Sequence, residues 1–87
     1  MATLMQRLEQ ALASRFEGAQ IELKRYRQKN RVGGSVIWDG FEGQAQIDRQ
    51  TELRRAIDAG LPPEEQLQVS FILTLTPDEA AAVATRD

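Results

Sequence analysis

The sequence predicts an α+β domain, a three-stranded mixed sheet with helices on one face in the order α-β-β-α-β-α. Three observations lead there. Apolar residues recur every three or four positions over residues 3–17, apolar and polar residues alternate over 67–76 with Ile72 the one apolar residue on the polar face, and Thr76-Pro77-Asp78-Glu79 reads as the start of a helix. At 87 residues the chain is expected to be one domain, 1–87, with a single small core.

Residues 3–17 place Leu4, Leu8, Ala11, Leu12 and Phe16 on one helical face, with Thr3 as N-cap and Gly18 just past the end. Residues 20–27 alternate weakly through Ile21 and Leu23 and read as a strand that becomes solvated toward its end. Residues 28–34, with Asn30 and the Gly33–Gly34 pair, read as a turn or loop. Residues 35–38 form the second predicted strand through Val36, Ile37 and Trp38. Two readings compete at Asp39–Gly40. The dipeptide is a hairpin signal that would make 41–47 a third strand, and the turn chemistry slightly favours this; otherwise it bends the end of one longer strand.

Residues 48–59 are predicted helical, with Asp48 as N-cap, Leu53, Ala56 and Ile57 on the apolar face, and Gly60 after the end. Residues 61–66, with Pro62–Pro63 and Glu64–Glu65, connect with room for one helical turn. In the strand 67–76, Leu67, Val69, Phe71, Leu73 and Leu75 share one face, as expected where helices cover a single side of a sheet. Thr76 then caps a helix with Pro77 at its first position and Glu79 completing a capping box. This strand and the second, separated by a helix, are candidates for parallel pairing through a crossover. The expected core is Leu4, Leu8, Leu12, Phe16, Ile21, Leu23, Val36, Leu53, Ile57, Val69, Phe71 and Leu73, with Phe71→Ala costing about 3–5 kcal/mol.

Composition narrows the chemistry. The chain has no cysteine and no histidine. It therefore lacks thiolate and imidazole ligands, the Cys–His and Ser–His nucleophilic pairs, and the usual general base near neutral pH. No catalytic residue, metal site or cofactor is expected, and an enzyme is not. Without an apolar run long enough for a membrane span or a leader, the expected compartment is the cytoplasm.

The net charge is −2, unevenly spread: residues 1–43 hold seven Lys and Arg against five Asp and Glu, and residues 44–87 hold four against eight. The positive excess lies in Lys24, Arg25, Arg27, Lys29 and Arg31, with Tyr26 among them. Such a run can neutralise phosphates while the tyrosine stacks on a base. The bland alternative is a solvated strand end whose charges discourage edge pairing. Trp38 and Phe41 are read as core rather than as a contact platform. Asp39, Glu42 and Asp48 lack the ligand spacing of a calcium loop and are read as turn and capping residues.

Several motifs in order resemble the BolA-like family. Phe41-Glu42-Gly43 matches its F-x-G strand end, Arg49 the arginine of an Arg-His pair opening the next helix, and Thr74-Leu75-Thr76-Pro77-Asp78-Glu79 its T-L-T-P-[ED]-[EQ] ending. The likeness is clear from residue 35 to 79, with two extra residues around 62–66. It implies a KH-like fold and a bend rather than a hairpin at Asp39–Gly40. It also implies two roles, transcriptional regulation through DNA contact and partnership with a monothiol glutaredoxin around a bridging iron–sulfur cluster. On that resemblance Arg49, Gln50 and Gln68 occupy the partner-binding positions. The family's paired histidine is Gln50 here, and its cluster-ligating histidine aligns with Gln68. Loop 28–34 holds neither Cys nor His. A neutral glutamine oxygen is a poor iron ligand, so no cluster or metal is expected on the isolated chain. The sequence reading is a non-enzymatic regulatory domain contacting DNA or RNA through the KH-like sheet and the basic loop 24–31. Its alternative is an adaptor that meets a glutaredoxin or another protein without ligating a cluster.

Overall fold

Thr3 starts the first helix as the sequence suggests: its hydroxyl accepts from the Gln6 N–H at 3.1 Å, and the Gln6 side chain accepts from the Thr3 N–H at 2.8 Å. Residues 3–26 and 31–84 are described by the structure, a computed structural model. Helix α1 (Leu4–Arg15) buries Leu8 and Leu12, and Phe16 follows it into the core. Strand β1 (Gln20–Tyr26) pairs antiparallel with β2 (Arg31–Ile37), and β2 pairs parallel with β3 (Val69–Leu75), giving the sheet order β1-β2-β3. Between β2 and β3 run a 3-10 turn (Asp39–Phe41), helix α2 (Gln46–Gly60) and the single turn α3 (Pro63–Gln66). Helix α4 (Pro77–Ala84) follows β3. The predicted element order and the parallel pairing both hold. Among the described residues, no helix is long and apolar enough to cross a membrane.

Three expectations change. Gly33 and Gly34, read as a loop, lie inside β2. Gly34 has φ +154°, and a Cβ there would sit 1.9 Å from the Glu22 carbonyl oxygen, so glycine is required for the strands to meet. Asp39–Gly40 makes the bend that the family resemblance implies, against the hairpin that turn chemistry alone favours, and residues 46–47, assigned to a strand in the hairpin reading, begin α2. The bend seats Phe41 in a triangle with Phe16 and Trp38, whose ring centroids are 5.2–5.3 Å apart. Trp38 also donates from Nε1 to the Glu17 carbonyl at 3.0 Å. This confirms the core reading of both aromatics. Helix α2 begins two residues before Asp48, which lies in the first turn, where its charge suits the helix dipole.

The third correction concerns β3. Val32 pairs with Val69 but Gly34 pairs with Ile72, so two steps on β2 match three on β3. The extra residue is a bulge at Ser70–Phe71, and it reverses the alternation. Val69 packs against the core, yet beyond the bulge the helix side receives Ile72 (2% exposed) and Thr74, while Phe71 is 69% exposed. Phe71 and Leu73 therefore do not belong to the core, contrary to the alternation reading. The rest of the expected core is buried or packed against it, joined by Val32, Phe41, Ala56, Leu61 and Ile72.

Candidate nucleic-acid interface

Helices cover one face of the sheet. Ile21 and Leu23 of β1 pack against the core, so Lys24 and Tyr26, alternating with Leu23 and Arg25, point to the other face. Register places Arg31 directly opposite Tyr26, and Gly33 opposite Lys24. On β3, Phe71 and Leu73 alternate with buried Ile72 and Thr74 and share this uncovered face. The face thus carries Lys24, Tyr26 (47% exposed), Arg31, Phe71 and Leu73, with exposed Glu22 farther along β1 on the same alternation.

Gly33 shapes its floor. A Cβ at Gly33 would lie 3.1 Å from Cε2 of the Tyr26 ring and 2.8 Å from the Phe71 carbonyl oxygen. The tyrosine ring therefore lies directly over the glycine, with the β3 bulge beside it. A flat floor with two exposed rings and flanking cations is the arrangement on which unpaired bases stack while their phosphates meet positive charge.

The basic run divides in the structure. Lys24, Tyr26 and Arg31 share the uncovered face, whereas Arg25 is exposed on the opposite alternation. Arg27 and Lys29 lie outside the described residues. Phe71 and Leu73, assigned to the core in the sequence, complete the face. Their sequence signals are Ile72, apolar on the otherwise polar face, and the Gly33–Gly34 pair, since glycine within a strand marks a bulge or a close backbone approach.

The positions expected to bind a partner serve the fold. Arg49 is 5% exposed. Its Nε donates to the Gln44 carbonyl at 3.0 Å, and Nη1 donates to the Thr74 carbonyl at 3.2 Å and to Glu79 Oε1 at 2.7 Å. Its guanidinium stands 5.7 Å from the Phe41 ring centroid. The Arg49 hydrogen bond, followed by that from the Thr76 N–H, holds the Glu79 carboxyl below its ordinary value. Gln50 Nε2 donates to the Ile72 carbonyl and to Thr74 Oγ1, both at 3.2 Å, and Thr74 in turn donates to Gln46 Oε1 at 3.0 Å. Satisfied in this way, Thr74 is buried although the alternation pattern places it on the polar face. Gln68 is half-buried, with its backbone carbonyl accepting from Val32 at 2.8 Å. Arg49 and Gln50 are thus committed to tying α2 to β3, and neither they nor Gln68 joins the uncovered face.

The donor set does not fit an iron–sulfur cluster. Sequence positions 50 and 68 offer neutral amides, and the Gln50 amide nitrogen is already bonded to β3. Among the described residues, no three His, Cys, Asp or Glu side chains gather as a metal site.

A scan of the sequence against protein-family models finds no match, and a search of curated proteins finds none. Among solved structures, the chain is similar to a Bol-like protein from Babesia bovis, with a TM-score of 0.60 and 23% identity over 97% of this chain and 95% of that one. The likeness extends through every element from α1 to α4, and on it the chain has the BolA-like fold.

Proposed function

We propose that this protein is a non-catalytic regulatory binding module that holds single-stranded nucleic acid on the uncovered face of its sheet. The observation that carries the reading is the exposure of Tyr26 and Phe71 on that face beside Lys24 and Arg31. Large exposed apolar side chains gathered on one surface mark contact sites, and rings flanked by cations suit bases better than they suit an apolar protein partner. Arg27 and Lys29 add two positive charges to the sequence between Tyr26 and Arg31. The net charge of −2 opposes a long-range attraction for nucleic acid, so the expected affinity is modest, about micromolar at low salt.

The test is fluorescence anisotropy with labelled oligothymidine, the equivalent single-stranded RNA and a duplex. Single strands should bind more tightly than the duplex, because only they offer free base faces. The logarithm of the affinity should fall with that of salt by about 0.7 per phosphate neutralised. Tyr26→Ala and Phe71→Ala should each weaken binding by about 1–3 kcal/mol. Absence of binding at low salt up to high micromolar protein contradicts the reading.

A further inference from the structure

Beside the outer edge of β3, a groove of about 880 Å3 opens between that strand, α2 and α3. Ile47 on α2 and Leu67 after α3 line it, and each is 75% exposed, which makes them the most exposed large apolar side chains among the described residues. The charged residues lining it are Arg31, Arg54 and Arg55, with no carboxylate among them. On a chain of net charge −2, the groove is a local reversal of sign. Arg55 has Glu52 3.5 Å away, a half-buried carboxylate that also meets Arg15 of α1, whereas Arg54 has Asp58 3.8 Å away in an exposed pair along the helix. Pairs of that kind contribute little and yield readily to a competing anion.

From this complementarity we infer that the groove between α2 and β3 docks an acidic peptide segment carrying apolar anchor residues. Ile47 and Arg54 are seven residues apart on α2, or about 10 Å along the helix axis. That span matches about three residues of extended peptide, enough to alternate an apolar anchor with a carboxylate. The peptide docks through its side chains rather than as a fourth strand. Carbonyl oxygens of Ile72 and Thr74 on β3 already accept from Gln50, Gln46 and Arg49 of α2, so the edge is partly closed to strand addition. The most exposed apolar side chains of the groove, Ile47 and Leu67, are aliphatic, which favours a peptide with apolar anchors; Phe71 also lines it, at the border with the uncovered face.

The experiment titrates the full chain with three short fluorescein-labelled peptides of equal length, alternating Glu with Leu, Lys with Leu, and Glu with Ser. The Glu–Leu peptide should bind, with a dissociation constant of about tens of micromolar, and the other two should not. Arg54→Glu and Ile47→Ser should each weaken it by about fivefold or more. Their melting temperatures should stay at the parent value, since both side chains are largely solvated. Tyr26→Ala, on the other face, should leave peptide binding unchanged, which separates this site from the proposed nucleic-acid surface. Equal binding of all three peptides, binding of none, or indifference to Arg54→Glu overturns the inference. So does loss of oligonucleotide binding in Arg54→Glu without binding of the Glu–Leu peptide, which would assign the groove to nucleic acid.

Discussion

Arg49 and Glu79 join α2 to α4 through a forked ion pair, with Nη1–Oε1 at 2.7 Å and Nη2–Oε2 at 3.4 Å. The arginine end is buried and the glutamate end is half-exposed. A buried guanidinium is stable only with its donors satisfied, and here Gln44, Thr74 and Glu79 accept from them. Arg49→Ala should lower stability by about 2–4 kcal/mol, because the Gln44 carbonyl loses its side-chain donor, the Thr74 carbonyl is left with Gln46 and the tie to Glu79 is broken. Arg49→Lys should recover only part of this, since an ammonium cannot span the fork. Denaturant unfolding of the three proteins checks both.

The same pair sets a pH dependence. Glu79 titrates below its ordinary value of 4.5 in the folded protein, so the unfolded chain binds its proton first as pH falls. Its contribution is therefore complete above that value and is lost as pH drops through the lower, folded one. The melting temperature should decline below about pH 4.5, and Glu79→Gln should flatten that part of the decline. An unchanged acid limb in the variant would contradict the pairing.

Phe71 and Ile72 are neighbours with opposite fates. Phe71→Ala should cost less than about 1 kcal/mol, because its ring is already largely in water. Ile72→Ala should cost about 2–5 kcal/mol, because it empties a fully packed site. Thermal melts of the two variants test the bulge directly, since an unbroken alternation would reverse the order.

Gly34→Ala should destabilise by about 3 kcal/mol or more, the strand pair having to separate to admit the methyl group against the Glu22 carbonyl. Gly18→Ala provides a comparison: it also has positive φ, but nothing lies within 4 Å of the added Cβ, so its cost is confined to the backbone.

What could be read from the sequence was local. The spacing of Leu4, Leu8 and Leu12, the Thr3 cap and the Thr76–Glu79 capping box act within one or two turns, and the structure forms them where the residues indicate. The face of β3 was not legible because it depends on a pairing partner. One extra residue opposite Gly33 reverses the alternation, and within 67–76 Ile72 alone, apolar on the otherwise polar face, departs from the pattern. The start of α2 is similarly non-local. Ala45 makes no side-chain cap, while Gln46 reaches the Thr74 carbonyl at 3.2 Å. For the candidate interface, Lys24, Tyr26 and Arg31 were visible as a basic, aromatic run. Phe71 and Leu73 were hidden in a pattern that normally denotes a core.

The central claim is that the uncovered sheet face, and not the helix side, receives single-stranded nucleic acid. Backbone amide NMR of the uniformly 15N-labelled protein during titration with oligothymidine tests it most directly. The account predicts that shifts concentrate at Lys24, Tyr26, Arg31, Gly33, Phe71 and Leu73, while amides of α1 and the outer face of α2 stay in place. Shifts confined to α1 or to the groove beside α2, or no shifts at high micromolar oligonucleotide, would contradict it.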